Sequence, residues 1–390
     1  MRCARIGRVV FPVFLELCCA ASRVFAQTWT LTSAPHNVWN SIASSADGSK
    51  LVVVSPVGHV FVSADAGVTW TKSDAPSRNW NSVASSADGS RLTAVATSLS
   101  SPGPIYSSTN SGATWVSNNL PSRVWQAVAS SADGGKLVAG CGSGAYYSTN
   151  FGAAWSTSSV PFDLGIRQIV ASAVGDRFVA VVSPPYFCSS TDSGANWAAT
   201  GAIPIGNHCV ASSADGMKLV AGVYGDSIYV STNAGATWTG TPAPSLLWWS
   251  VASSADGSKL VAGVWGGAIY ISTNSGASWA DYGSPTAQWV SVASSADGNK
   301  FLAVDAGGPI YTWQATPSPL LKIAVMNNNV SLSWLIPSAN FVLQQNSDLS
   351  TTNWQAVTNV PVLNFTNLQY EYEVALSLSP DSKFYRLAIP

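Results

Sequence analysis

The phrase ASSADG begins at Ala43, Ala84, Ala129, Ala211, Ala252 and Ala293, and a degenerate copy, ASAVGD, begins at Ala171. Successive full copies lie 41, 45, 82, 41 and 41 residues apart, and the step of 82 spans the degenerate one. The chain therefore carries seven units. A period of this length restricts the fold to repeat architectures, in which each supersecondary unit buries its apolar face against its neighbours.

The sixth unit shows what one repeat contains. SVAS (250–253) is a short β-type run, and Ala255-Asp256-Gly257 is a hairpin turn, here called the 1–2 turn. KLVAGV (259–264) reads as a second strand, and Trp265-Gly266-Gly267 turns the chain. AIYIST (268–273) alternates as a third strand, Asn274-Ser275-Gly276 forms the 3–4 turn, and Trp279 opens a fourth strand. Four short strands with no helical period describe a propeller blade. Seven such units need about 287 residues, and positions 27 to 313 supply 287.

The last unit stops at Trp313 without a fourth strand, while Thr28–Pro35 (TWTLTSAP) reads like Thr69–Pro76 (TWTKSDAP), the fourth strand of unit one. The N-terminal strand is therefore expected to complete the last blade, which removes an exposed strand edge. The expected fold is all-β, a seven-bladed β-propeller of four-stranded blades over residues 27–315, plus a small C-terminal β-sandwich over 320–390. Thr316-Pro317-Ser318-Pro319 is the linker between them.

Residues 1–26 read as a secretory signal peptide. Arg2, Arg5 and Arg8 precede an apolar stretch from Val9 to Ala21, and Val24-Phe25-Ala26 is a small-residue cleavage site. The expectation is secretion to the extracellular space, cell surface or periplasm. No later stretch is long and apolar enough to span a membrane. Removing the leader leaves 14 basic against 18 acidic side chains, about −4. No basic stripe is present, so nucleic acid is excluded as an expected partner. Cys141, Cys188 and Cys209 have spacings that match no metal or redox motif, and they read as buried strand residues, with a Cys188–Cys209 bridge left open.

The 3–4 turns share one form: SADAGVTW from Ser63, STNSGATW from Ser108, STNFGAAW from Ser148, STDSGANW from Ser190, STNAGATW from Ser231 and STNSGASW from Ser272. This resembles the Asp-box, or bacterial neuraminidase repeat, Ser/Thr-x-Asp-x-Gly-x-Thr-Trp. The Asx side chain closes the turn and Gly supplies the positive φ. Only Asp65 and Asp192 keep the acid, and Asn110, Asn150, Asn233 and Asn274 replace it, so the boxes read as structural rather than catalytic or metal-binding. Proteins with such propellers include sialidases, xyloglucan-cleaving hydrolases, sortilin-type receptors and photosystem assembly factors, and fold alone does not choose among them. A sialidase site is excluded, because no Arg-Ile-Pro motif occurs and no Glu lies between Glu16 and Glu371. Arg91 and Arg177 read as solvated hairpin residues. The C-terminal segment resembles fibronectin-type-III-like modules, which implies a spacer or attachment role.

The remaining candidates sit where first strands begin and second strands end. Trp39, Trp80, Trp125, Trp248 and Trp289 open five first strands, with Arg167 and Asn207 expected in that place in units four and five. With Tyr224 and Trp265 they would form an aromatic rim at the channel mouth, fit for a polysaccharide or a surface protein. The competing reading packs those Trp between blades. Trp249, beside Trp248, concentrates aromatic area in unit six. Asp226 and Asp305 are the fallback carboxyl pair for a two-aspartate glycoside hydrolase, and Asp74, Asp163 and Asp281 are the other acids outside the repeated turns. His36, His59 and His208 show no metal spacing. The leading expectation is a non-enzymatic binding module without cofactor or metal, its oligomeric state open.

Overall fold

The computed structural model describes residues 4–6, 29–97, 102–118, 120–161, 165–182, 186–201, 203, 207–315, 322–326, 329–335, 342–346, 353–357, 361–364, 369–375 and 383–388. The cleavage site after Ala26, the linker 316–319 and Asp163 lie outside them.

In unit six, Leu246–Ser253 pairs with Leu260–Gly267, that strand with Ile269–Ser272, and that in turn with Ala280–Asp281, all antiparallel. The other units repeat the order, and their first strands begin at Ser41, Trp80, Trp125, Ile166, Asn207 and Ala287. Unit seven takes its outer strand from the other end of the described chain: Trp29–Leu31 pairs with Ile310–Gln314, Trp29 opposite Trp313. Second strands such as Leu92–Ala96, Leu137–Cys141 and Phe178–Val182 are buried along their whole length. Each sheet has a neighbouring sheet on both faces, so these strands are continuous apolar runs rather than alternating ones. The outer strands, two or three residues long, are mostly exposed.

The ring closes at the 1–2 turns. Ala46 N–H donates to the Ala87 carbonyl, and the same bond runs on through Ala132, Ala173, Ala214, Ala255 and Ala296, whose N–H returns to the Ala46 carbonyl; every link is 2.7–2.8 Å. Seven backbone bonds pointing one way around a circle polarise one another. The alanine methyls pack together inside the circle. Around it, the glycine of each turn (Gly48, Gly89, Gly134, Gly175, Gly216, Gly257, Gly298) has φ between +60° and +75°. The stem of the preceding unit's Lys or Arg lies 2.7–3.0 Å from where a Cβ would stand on each of these glycines. Arg91 and Arg177 are therefore half-buried packing residues, not free surface cations. Arg91 also lies 4.2 Å over the Phe151 ring.

The 3–4 turns share this face, since Ser111 N–H donates to the Ser90 carbonyl and Ser275 N–H to the Ser258 carbonyl. Within unit one's turn, Ser63 Oγ donates to Asp65 Oδ1 at 2.8 Å, and Thr69 gives its N–H to Oδ1 and its hydroxyl to Oδ2 at 2.8 and 2.6 Å. Asn110 accepts from Ser108 and from Thr114 N–H in the same geometry, so the turn needs an oxygen and not a charge.

Among the described C-terminal residues, Lys322–Met326, Asn329–Leu335, Gln369–Ala375 and Val362–Asn364 form one sheet. Ala4–Ile6, Lys383–Ala388, Val342–Asn346 and Gln355–Ala356 form another. Leu332 and Trp334 of the first and Leu343 and Tyr385 of the second are buried. The Tyr372 and Tyr385 rings meet at 6.5 Å between the sheets. Cys141, Cys188 and Cys209 are free, buried thiols, so Cys188 and Cys209 are not bridged. Burial pushes the Cys188 thiol up to about 11 and the Cys209 thiol up to about 12.

Candidate ligand-binding face

First strands start and second strands end on the face opposite the turns, and this mouth face carries the repeat's variation. Trp39 is 1 % exposed, and Trp80, Trp125, Trp248 and Trp289 are fully buried. They are not rim residues. Each indole fills the space between blades, where its large apolar area is removed from water. Four of them also tie loops down: Trp39 Nε1 donates to the Gly308 carbonyl, Trp125 Nε1 to Gly103, Trp289 Nε1 to Gly267 and Trp248 Nε1 to Pro244, at 2.7, 2.8, 2.9 and 3.1 Å. In unit four the register puts Ile166, not Arg167, in the tryptophan's place, and Ile166 is buried while Arg167 is exposed.

The residue after this position is exposed in units four and six, whereas Val290 in unit seven packs against the core. In six units the ladder skips a residue there, from Trp80 to Ser82, Trp125 to Ala127, Ile166 to Gln168, Asn207 to Cys209, Trp248 to Ser250 and Trp289 to Ser291. A bulge of this kind leaves one residue unpaired in the ladder and re-aims its side chain. Asn81 occupies the bulge in unit two and donates its amide to the backbone of Trp125 and Gln126 in the next unit. Arg167 and Trp249 occupy it in units four and six, and both are exposed.

Around Trp249 the mouth is built up. The second strand of unit five and both inner strands of unit six run to eight residues, as does the first strand of unit seven. Their tips pair between units, Tyr224 with Leu247 and Trp265 with Gln288. This brings three rings together: Trp249 and Trp265 have centroids 4.7 Å apart at 42°, and Tyr224 meets Trp249 at 6.2 Å and 72°. Tyr224 and Trp249 keep 39 % and 37 % of their surface in solvent, and Trp265 is half-buried. Trp265 also lines an open cleft of about 380 Å³ with Leu246, Leu247, Gly266 and Ala268.

Asp226 and Asp305 end second strands two units apart, with the strands of unit six between them. Asp226 accepts from the Tyr229 hydroxyl at 3.2 Å; burial and this carboxylate push the Tyr229 phenol up, so it keeps its proton. Asp305 Oδ1 accepts the N–H groups of Gln288 and Gly307 as a turn residue does. Four inter-strand steps lie between the two acids along the sheet, and no hydrogen bond or shared partner joins them. The structure does not bring them together. Asp74 and Asp281 are exposed at the ends of outer strands. His59 meets the Phe61 ring at 6.2 Å, and among the described residues no group of three His, Cys, Asp or Glu is placed to hold a metal ion.

No family model and no curated protein matches this chain. Solved structures do. The structure titled YCF48 bound to D1 peptide superposes with a TM-score of 0.59 at 15% identity over 76% of this chain and 99% of that one. YCF48 from Cyanidioschyzon merolae gives 0.59 at 16% identity over 73% and 98%. The GH74 xyloglucanase from Xanthomonas campestris gives 0.58 at 17% over 79% of this chain and 59% of that one. At these identities the likeness concerns the fold. The chain is a β-propeller. Among the described residues, no helix of this propeller is long and apolar enough to cross a membrane.

Proposed function

We propose that this propeller is a secreted binding module of the Asp-box type, and that its ligand, a polysaccharide, seats on Tyr224, Trp249 and Trp265. The observation that carries this reading is the exposed ring cluster beside an open cleft, where, among the described residues, the inner strands run longest. Sugar rings present C–H faces that stack on such indoles, and the hydroxyls find acceptors in flanking groups such as Asp226. The hydrogen bonding of the 3–4 turns supports the Asp-box assignment. The C-terminal sheets would then act as a spacer or surface attachment. A structurally similar propeller is described as binding a peptide, so a peptide is the second reading. A two-aspartate hydrolase is disfavoured by the separation of Asp226 and Asp305.

The deciding experiment is a glycan array combined with a reducing-end assay. Binding without release of reducing ends supports the proposal, release supports the hydrolase, and an empty array with capture from a peptide library supports the second reading. N-terminal sequencing of the exported protein should begin at Gln27; an intact Met1 on the exported chain would sink the leader assignment.

A further inference from the structure

The same crevice recurs between neighbouring units on the turn face, bounded by a Lys stem, a Leu and a Val of one unit and by a Leu and a Ser of the next. Between units five and six it is lined by Lys218, Leu219, Val230, Thr232, Leu260 and Ser275 and holds about 30 Å³, the share of one water molecule in the liquid. Between units one and two the equivalents are Lys50, Leu51, Val62, Ala64, Leu92 and Ser111, and the space is about 210 Å³. Two departures from the repeat stand at the wall of the larger crevice.

The first is Ala64. The other five 3–4 turns carry Thr109, Thr149, Thr191, Thr232 and Thr273 at this position, so unit one lacks a hydroxyl and a methyl at the crevice wall. The second is the ammonium. Lys218 Nζ donates to the Asp256 carbonyl at 2.8 Å, and Lys259 Nζ donates to the Asp297 carbonyl at 2.9 Å. Lys50 Nζ makes no such bond to the next turn and instead stands 3.4 Å from Ser111 Oγ on the crevice wall. The hydrogen bonds of the nearby carboxylates are made within their own turns, Asp65 with Ser63 and Thr69 and Asp88 with Ser86 and Ser90, while Lys50 also attracts Asp88 through space. Neither lines the crevice, so Lys50 is its one lining charge.

We propose that this crevice binds a small organic monoanion with a short aliphatic body, a branched carboxylate of five or six carbons. The carboxylate meets Lys50 and Ser111, and the alkyl group lies on Leu51, Val62 and Leu92. The volume suits this size, since a cavity of roughly 150 Å³ already accepts benzene. The site lies on the face opposite the ring cluster and does not depend on the polysaccharide reading.

The test is a calorimetric and NMR titration of the full exported chain with 4-methylpentanoate. Acetate supplies the charge without the alkyl group, and 4-methylpentan-1-amine supplies the alkyl group with the opposite charge. Saturable binding of 4-methylpentanoate is expected, at least tenfold tighter than acetate or the amine, with shifts confined to units one and two. Ala64→Thr should weaken it at least tenfold while the melting temperature holds, because five sister units already carry Thr. Lys50→Met should weaken it comparably, and Lys218→Met, at the filled crevice, should not. Equal binding by Ala64→Thr, equal binding of the amine, or no saturable binding by the wild-type chain would each overturn the proposal.

Discussion

The two faces of this ring are built from the same seven units and obey different rules. On the turn face every unit contributes the same alanine link, the same left-handed glycine and a cation whose stem covers the next glycine. A circle of seven identical bonds tolerates little variation, because one misplaced turn breaks two links. On the mouth face the loops differ in every unit, and the bulged residue is Asn81, Gln126, Arg167, His208, Trp249 or Val290 by turn. Regularity holds the ring together there, and irregularity here supplies chemistry.

The largest effect should come from opening the circle. Deleting Gln27–Pro35 removes the outer strand of unit seven and exposes the edge of Ile310–Gln314. Light scattering and thermal melts should show aggregation, or a fall in melting temperature greater than that of any point variant below. An unchanged melt would mean that the strand does not hold the ring.

Adjacent tryptophans give the sharpest contrast on the mouth face itself. Trp248→Ala should cost about 3–5 kcal/mol in denaturant titrations, as a buried aromatic truncation does. Trp249→Ala should stay within about 0.5 kcal/mol and remove ligand binding. Comparable losses of stability in both would return Trp249 to the core.

Glycines with the same backbone separate the faces more finely. Gly257 (φ +69°) has Lys218 Cδ 2.7 Å from its Cβ position, while Gly266 (φ +73°) on the mouth face has nothing within 4 Å. Gly266→Ala should cost only the left-handed backbone penalty, about 1–2 kcal/mol. Gly257→Ala should cost measurably more, since the Lys218 stem must also move. Equal costs would show that the cation stems are not packed against the turns.

The smallest effect belongs to the turn carboxylates. Asp65→Asn should change stability by less than about 0.5 kcal/mol, because Thr69 can accept from an amide as Thr114 does from Asn110 at 2.9 Å. Asp192→Asn should be nearly as silent once Asn196, which donates to Asp192 Oδ2 at 2.7 Å, turns its own amide over. A loss above about 2 kcal/mol in either would give these acids a role that their sister turns lack.

Period, turn residues and strand order were legible in the sequence because they are local. Asp-Gly and Asn-x-Gly bend the chain wherever they stand, and alternating runs between them have one way to pair. That is enough to specify an all-β propeller. The location of the exposed aromatic surface was half legible: the expectation put Trp265 and Tyr224 at the mouth, where they are, but it put the five repeated tryptophans there too. Burial of Trp39, Trp80, Trp125, Trp248 and Trp289 depends on the neighbouring blade, which no single repeat displays.

By itself, then, the amino-acid order determined the repeat, its turns and its all-β class, all carried by interactions within about forty residues. The tertiary structure alone decided that Ile166 rather than Arg167 stands in the tryptophan row. It alone decided that Trp249 faces water while Trp248 does not, and that Asp226 and Asp305 stay apart. The physical reason is register. A one-residue bulge reverses the facing of everything beside it, and its position is set by pairing with the next strand and packing against the next blade.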